Sequence, residues 1–231
     1  MKLTYHGHSC VHLTDGNHSL IIDPFLSGNP VAKTKAEDIR TEFVLLTHGH
    51  SDHTADAEAI ANANDATIVS MLELADIYSV KGIKTIGFNM GGTADLGFAK
   101  VKLVQAFHSS SMPAGGGQPA VYTGMPCGFM IDWNGLTIYH AGDTALFGDM
   151  KMFGELYDID YAILPIGDFY TMGPKDAVIA ARWLQAKHVI PVHHSTFPGI
   201  AQDAALYAAQ LEEFGITGHP LKPGDQLELS E

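Results

Sequence analysis

The sequence is poor in cysteine and has no long hydrophobic run. Two cysteines among 231 residues, Cys10 and Cys127, are too few for a disulfide framework and are typical of a protein from a reducing compartment. The N-terminus turns polar within a few residues, unlike a secretory signal peptide, and no apolar run approaches the ~20 residues that a membrane span needs. These absences predict a cytoplasmic protein with no membrane segment.

Basic residues are also scarce. Lys and Arg number 13 against 26 Asp and Glu, for a formal net charge of −13. Proteins that bind nucleic acid by neutralising phosphates need a basic surface, so we expect no nucleic-acid partner. The 46% of hydrophobic and 17% of charged residues are typical of a globular chain with a large core. We expect a single domain over residues 1–231.

Short strands alternate with helices along most of the chain. Phe43–Thr47 is a continuous apolar run, which is typical of a strand buried on both faces. Asn134-Gly135 predicts the tight turn of a hairpin between Gly128–Trp133 and Leu136–His140. The breaker Asn89-Met90-Gly91-Gly92 separates two halves of similar style. This pattern predicts an α/β fold with crossover helices.

Histidine is abundant, with 13 residues, and it is concentrated in one motif. Four potential metal ligands occur within six residues, namely His48, His50, Asp52 and His53. The motif follows the buried strand and precedes a helix predicted over Ala55–Ala63, and open α/β sheets place their sites at such strand ends. Three imidazoles and a carboxylate are too many for one ion with room for substrate, so we predict two neighbouring ions. The alternative interpretation is a solvated polar loop.

Two ions need further ligands, and three candidates follow other predicted strands. His108 follows Val101–Phe107, while Asp143 and His193 come after later strands. A carboxylate such as Asp143 has two oxygens and can bridge two cations. Each residue alone is a weak signal, because a lone histidine is more often structural. Their common position after a strand favours them together.

The complete pattern resembles the metallo-β-lactamase superfamily of metal-dependent hydrolases. The resemblance is carried by His48-x-His50-x-Asp52-His53, His108, Gly142-Asp143 and His193. Further elements look most like small bacterial and archaeal hydrolases related to ascorbate-6-phosphate lactonase, namely Gly7-His8-Ser9, Asp23-Pro24, Ala141-Gly142-Asp143-Thr144 and Pro191-Val192-His193. The resemblance spans nearly the whole chain. It implies a four-layer αββα sandwich, the metallo-β-lactamase fold, in which two mixed β-sheets are flanked by helices.

The resemblance also implies a site that holds two divalent metal ions. The first ion would be held by His48, His50 and His108, the second by Asp52, His53 and His193, and Asp143 would bridge them. Nitrogen and oxygen ligands suit Zn²⁺, the metal we predict, and they also suit Mn²⁺ or Fe²⁺.

The activity that follows is hydrolysis of an ester, lactone or phosphoester of a small-molecule substrate by a hydroxide that bridges the metals. Asp52 is the candidate catalytic residue, because a ligand carboxylate can orient the nucleophile and pass a proton to the leaving group. One alternative is a phosphodiesterase or nuclease acting on nucleic acid, and another is a non-catalytic metal-binding scaffold. Relatives of this kind often form homo-oligomers, which makes a homo-oligomer one expected assembly.

Three other residues are assigned to the surroundings of the site. His8 and Asp23 are predicted to hydrogen-bond ligand imidazoles and fix their tautomers, although His8 would alternatively satisfy a strand-end backbone group. His194 stands where relatives usually have an aromatic residue, so that either His193 or His194 could be the ligand. The spacing from Pro191 favours His193 and leaves His194 to contact substrate or solvent.

Two further features have alternative interpretations. The loop Ser109–Pro126 contains three consecutive glycines and several apolar residues, and it is either a lid beside His108 or a plain surface loop. Asp168 either caps a turn or adds negative charge at the mouth of the site.

Overall fold

Two seven-stranded sheets face each other in the computed structural model, which describes residues 1–230. The first sheet contains β1 (Lys2–Gly7), β2 (Cys10–Thr14), β3 (Ser19–Ile22), β4 (Phe43–Leu45), β5 (Thr67–Met71), β6 (Thr85–Phe88) and, beside β1, β16 (Gln226–Glu228). The second contains β7 (Thr93–Asp95), β8 (Ala99–Gln105), β11 (Cys127–Trp133), β12 (Leu136–His140), β13 (Tyr161–Pro165), β14 (His188–Val192) and β15 (Thr217–Gly218).

Helices cover the outer faces of both sheets. They are α1 (Ser51–Thr54), α2 (Ala57–Asn64), α3 (Leu72–Ser79), α4 (Met150–Leu156), α5 (Pro174–Trp183) and α6 (Ala204–Glu212). Two short 3₁₀ helices occupy Ala36–Asp38 and Pro198–Ile200, and a small two-stranded sheet is formed by β9 (Ser111–Met112) and β10 (Val121–Tyr122).

The two large sheets share one pattern of strand pairing. Each has three antiparallel pairs on one side and three parallel pairs on the other. The change between halves falls at Asn89–Gly92, between β6 and β7, as predicted, although β16 returns to the edge of the first sheet. The predicted mixed-sheet αββα sandwich is confirmed.

Successive residues of a strand point to opposite faces, so the side chains of each central strand pack in two different cores. On β5, Val69 packs between the sheets while Ile68 packs on the outer face, which α2 and α3 cover. On β4, Leu45 packs between the sheets and Val44 packs on the outer face. A third core lies between the second sheet and α4, α5 and α6. Strands that are covered on both faces have continuous apolar sequences. For this reason the central strands were recognisable in the sequence.

The chain around the histidine motif differs from the prediction in its boundaries. The strand ends at Leu45, the helix predicted over Ala55–Ala63 is α2 (Ala57–Asn64), and a separate short helix, α1 (Ser51–Thr54), precedes it. Asp56 separates them, because its N–H donates to the Pro24 carbonyl and its carboxylate accepts the Leu26 N–H instead of continuing the helix. Two of the four motif residues therefore lie on a helical turn.

Cys10 and Cys127 are both buried free thiols. Within residues 1–230, none of the helices combines the length and the apolar character that crossing a membrane requires.

Candidate metal centre

The seven residues predicted to hold metal converge where strands of both sheets end. The first sheet supplies the motif that follows β4, partly in the loop and partly on α1, and the second sheet supplies one residue after each of β8, β12 and β14. The seven are His48, His50, Asp52, His53, His108, Asp143 and His193.

Their ligand atoms form three overlapping groups, and within each group all atoms lie within 4.8 Å of one another. The first group is the predicted first ligand set, His48, His50 and His108. The second is the predicted second set with one addition, Asp52, His53, His193 and His8. The third joins the two sets through His48, His53 and Asp143. The geometry therefore divides the ligands as the resemblance implies.

The buried carboxylate of Asp143 lies between the two sets. Its Oδ2 atom is 3.0 Å from His193 Nε2 and 3.3 Å from His53 Nε2, both of the second set. The same oxygen is 3.6 Å from His108 Nε2 and 3.9 Å from His48 Nε2, both of the first set. One oxygen atom thus faces four imidazole nitrogens.

Polar atoms of this cluster are left without ordinary partners. Within the described chain, neither His53 Nε2 nor Asp143 Oδ1 has a hydrogen-bond partner, and both are buried. His48 Nε2 and His50 Nδ1 face each other at 2.9 Å. Buried polar atoms without partners cost free energy. Unpaired nitrogen and oxygen donors that share a common centre fit a divalent cation.

The charges of the cluster favour a cation as well. Burial alone would raise the pKa of Asp143, but His193 and His53 outweigh it and hold that pKa well below its usual value. Burial alone would lower the pKa of His53, but the Asp143 and Asp23 carboxylates raise it well above the usual value. The centre is therefore stabilised by positive charge, which a metal would supply in place of a proton.

Asp23 is buried behind the cluster, where it orients two of its imidazoles. Its Oδ2 accepts hydrogen bonds from His53 Nδ1, at 2.8 Å, and from the Thr47 hydroxyl, at 2.7 Å. The Thr47 hydroxyl in turn accepts from His48 Nδ1, at 2.9 Å. These bonds place the protons on Nδ1 and leave Nε2 of both rings free to bind metal. Asp23 lies where the sequence predicted, and Thr47 is a residue that the sequence did not single out.

His8 is placed differently from the prediction, because it bonds to a ligand carboxylate instead of an imidazole. Its Nε2 lies 3.1 Å from Asp52 Oδ2, and its Nδ1 lies 3.0 Å from the Thr196 hydroxyl. Burial lowers the pKa of His8 to about 4, so the ring is neutral and has one N–H. Nε2–H then donates to Asp52, and Nδ1 accepts from Thr196. His8 orients Asp52, and the alternative of a strand-end backbone partner for the ring is not observed.

Three residues of the site adopt left-handed backbone conformations that favour glycine. They are His8, Asp23 and His193, with φ of 56°, 49° and 51°. Such a conformation costs roughly 1–2 kcal/mol for a residue with a side chain. At His193 it is held by a hydrogen bond from the backbone N–H to the carbonyl of His8, at 2.7 Å. The surrounding fold therefore imposes the directions of these side chains.

His194 does not join the cluster. Its Nδ1 lies 3.2 Å from the Ser195 hydroxyl, and its ring lines a cavity of about 390 Å³ together with Tyr5 and Lys222. None of the seven predicted ligands lines that cavity as the structure describes it. The geometry thus places His193 in the cluster and His194 at a separate cavity, and the expected contact of His194 with substrate or solvent stays a prediction.

The loop that carries Asp143 depends on Gly142, which belongs to the predicted motif, and on His140, which does not. Gly142 has a φ of +63°, and a Cβ there would lie 2.6 Å from the Cys127 carbonyl oxygen. Its N–H donates to Nδ1 of the buried His140, at 3.1 Å. His140 therefore shapes the turn that presents Asp143.

The loop Ser109–Pro126 is anchored on the histidine motif at its base. The Ser110 hydroxyl accepts from the Gly49 N–H at 3.1 Å and lies 2.6 Å from the Thr123 hydroxyl. A Cβ on Gly49 would collide with the Thr123 side chain. Only the part beyond these contacts, around β9 and β10, extends over the surface.

Asp168 forms a turn, which is the first of its two predicted roles. Its φ is 71°, and its backbone exchanges hydrogen bonds with Thr171 and Met172. It lines a depression of about 520 Å³ beside α5 and α6, to which none of the seven ligands contributes within residues 1–230.

Known proteins are similar to this chain over nearly its whole length. Residues 2–193, a range that includes all seven ligands, match the family model described as Beta-lactamase superfamily domain. A metal-dependent hydrolase of Anoxybacillus flavithermus is 51% identical over 229 residues, which cover 99% of this chain and 100% of that protein. A metal-dependent hydrolase of Bacillus velezensis is 48% identical over 230 residues and 100% of both chains. The structure of a metallo hydrolase from the archaeon Ignicoccus hospitalis has a TM-score of 0.89 at 35% identity, covering 99% of both chains.

Proposed function

The chain belongs to the β-lactamase superfamily and is a metal-dependent hydrolase, and from this premise we propose that it uses two divalent metal ions to cleave an ester, lactone or phosphoester of a small molecule. The position of Asp143 carries the proposal, because its Oδ2 lies within 3.0–3.9 Å of imidazole nitrogens from both ligand sets. A carboxylate in that position suits a bridge between two cations.

Each ion has its own ligand set in this proposal. His48, His50 and His108 hold one ion, and Asp52, His53 and His193 hold the other. The donors are nitrogen and oxygen, which suit Zn²⁺ first and also Mn²⁺ or Fe²⁺. When bound, the ions lower the pKa of a coordinated water and polarise the bond to be cleaved.

Asp52 is the residue that we assign to proton transfer. Its side chain is 34% exposed, whereas that of Asp143 is 2% exposed, so Asp52 is the ligand carboxylate that a substrate can reach. The hydrogen bond from His8 holds Asp52 Oδ2 in place and fixes the orientation of the carboxylate. In this position it orients the nucleophile and passes a proton to the leaving group.

Asp143→Asn tests the proposal, because it keeps the size of the side chain and removes its charge. We expect the metal content, measured by mass spectrometry, to fall below about one ion per chain, and hydrolysis to fall by about 100-fold or more. The substrates are a panel of aryl esters, lactones and phosphodiesters, assayed after loading with Zn²⁺ or Mn²⁺, and circular dichroism checks the fold.

Asp158→Asn is the matched control, because that carboxylate is an exposed partner of Lys187, and it should change neither readout. Full metal content and full hydrolysis in Asp143→Asn would contradict the bridging role. A metal-loaded protein that cleaves nothing in the panel would contradict the proposed activity.

A further inference from the structure

We propose that the substrate is a neutral carboxylic ester or lactone with an apolar group on each side of the bond to be cleaved. The two groups would occupy two apolar clefts that flank the metal cluster. The inference rests on the proposed hydrolytic function and narrows it, because it excludes phosphorylated substrates.

The first cleft, here called the aromatic cleft, has a volume of about 580 Å³ and borders Asp52 and His193 of the second ligand set. Phe25, Tyr170 and Phe197 form its apolar wall. Tyr170 is 62% exposed and Phe197 is 39% exposed. Aromatic rings that face solvent next to a reactive centre offer apolar area that a ligand can cover.

The second cleft, here called the loop cleft, has a volume of about 400 Å³ and borders His108 of the first ligand set. Phe107, Tyr122 and Met125 line it, and all three are more than half exposed. Tyr122 belongs to β10, beyond the anchored base of the loop. The loop cleft is therefore a second apolar surface that opens beside the same cluster.

The two clefts border different ligand sets, and Asp143 lies between those sets. A reacting carbonyl placed at the cluster would therefore have one cleft on each side. Each volume falls within the range of sites that bind small molecules. This arrangement suits a substrate with two apolar groups joined through the bond to be cleaved.

Charge separates this substrate class from phosphorylated ones. Among the described residues, neither cleft is lined by Lys or Arg, and Asp52 is the acidic residue that lines the aromatic cleft. Sites that hold phosphate or carboxylate groups usually provide Arg, Lys or several backbone N–H groups. The net charge of −13 also opposes the approach of anions. A neutral substrate meets none of these obstacles.

A pair of matched esters tests the inference on the zinc-loaded protein. 4-Nitrophenyl hexanoate and the 4-nitrophenyl half-ester of adipic acid have acyl chains of equal length and differ at the far end, which is methyl in one and carboxylate in the other. We expect kcat/KM to be about tenfold or more higher for the hexanoate than for the half-ester. We also expect it to exceed that for 4-nitrophenyl acetate by about tenfold, and bis(4-nitrophenyl) phosphate to be the poorest substrate.

Variants of the two clefts test whether the clefts cause the preference for the hexanoate. Phe197→Ala and Tyr122→Ala should each lower kcat/KM for the hexanoate by about tenfold, chiefly through KM. Phe214→Ala is the matched control, because that ring is 44% exposed and stacks on Arg182 away from both clefts, and it should have no effect.

A binding measurement separates the inference from the proposed activity. In 1-(4-nitrophenyl)heptan-2-one a methylene replaces the ester oxygen of the hexanoate, so the ketone is not hydrolysed. Calorimetry should detect its binding to the wild type and weaker binding to Phe197→Ala and Tyr122→Ala. If the ketone binds in this way but no ester is cleaved, the inferred binding of neutral apolar groups in the two clefts is supported and the hydrolytic proposal fails. The inference is overturned if kcat/KM for the phosphodiester or the half-ester equals that for the hexanoate. It is also overturned if both cleft variants bind the ketone and cleave the hexanoate like the wild type.

Discussion

At the scale of single residues, the centre is built from rings whose tautomers are fixed by neighbours. Asp23 accepts from His53 directly and from His48 through the Thr47 hydroxyl. One buried carboxylate therefore controls an imidazole of each ligand set. Removal of such hydrogen-bond partners commonly lowers the affinity of a site for its metal by about 10–100-fold.

Thr47→Val tests this control, because valine keeps the shape of threonine and lacks its hydroxyl. The change leaves the Nδ1–H of His48 without its acceptor. We expect the affinity for Zn²⁺ to fall by about 10–100-fold and the free energy of unfolding to fall by about 1–3 kcal/mol. A titration against a competing chelator measures the affinity.

Thr137→Val is the matched control, since that hydroxyl donates to the exposed Asp132 far along the chain from the motif. The affinity for Zn²⁺ should be the same as in the wild type. A Thr47→Val protein that binds Zn²⁺ as tightly as the wild type would show that the hydroxyl has no part in positioning His48.

The clustering of the seven candidate ligands was predictable from the sequence, and the positions of most of their hydrogen-bond partners were not. Histidine and aspartate at close spacing after a strand are a rare pattern, and His48, His50, Asp52 and His53 stand out for that reason. Thr47 and Thr196 are of common residue types, and their roles arise only in three dimensions. Thr196 meets His8 across 188 positions of sequence, and nothing local in the chain indicates that contact.

At the scale of elements, the loop Ser109–Pro126 and the histidine motif form one packed unit. The contact depends on Gly49, whose N–H bonds to Ser110 and whose missing Cβ leaves space for Thr123. The loop cleft, which Ser110 lines, therefore rests on a packed contact with the histidine motif, and only the turn around β9 and β10 lies beyond that contact.

Gly49→Ala should separate the loop from the motif, because the new Cβ overlaps the Thr123 side chain. We expect the free energy of unfolding to fall by about 1–3 kcal/mol, and Zn²⁺ binding to weaken because His48 and His50 flank the altered residue. Urea denaturation and chelator competition measure the two effects.

A second change and a control make this prediction specific. Adding Thr123→Ala removes two of the three colliding side-chain atoms, Oγ1 and Cγ2, and leaves only the Thr123 Cβ, at 2.9 Å. The double variant should therefore recover part of the stability. Gly148→Ala should be neutral, because no heavy atom lies within 4 Å of the added Cβ. A Gly49→Ala protein as stable as Gly148→Ala would rule out the packing that the structure shows.

The long buried strands were predictable, and the short elements were not. Apolar runs and the Asn134-Gly135 turn indicate strands directly, and both residues of that turn have positive φ, as a type I′ turn requires. Strands β7 and β15 have three and two residues and form because a neighbouring strand offers a free edge. Their own side chains are largely exposed, so no pattern of apolar residues reveals them.

At the scale of the whole molecule, stability depends on histidines that are buried without charge. His6 on β1 has no hydrogen-bond partner for either ring nitrogen within residues 1–230, and it stacks on His12 of β2. Burial lowers the pKa of His6 to about 4, from 6.5. Below pH 6.5 the unfolded chain gains a proton that the folded protein does not, so stability falls as the pH falls towards 4.

His6→Leu should remove part of this pH dependence. Between pH 7.5 and pH 5, His6 should lower the free energy of unfolding of the wild type by about 2 kcal/mol. The total decrease in the variant should be smaller by the same amount. Urea denaturation at several pH values measures the difference. Above pH 7.5 the two proteins should show parallel curves. Equal losses at pH 5 would mean that His6 is not buried as the structure shows.

The candidate metal cluster is formed by both sheets, with the histidine motif following the first and His108, Asp143 and His193 following the second. Ions bound to this cluster would link the two sheets where their strands end. A chelator that removed the ions would break this link, and adding them back would restore it. Metal supply would then govern how firmly the molecule holds together as well as whether it can react.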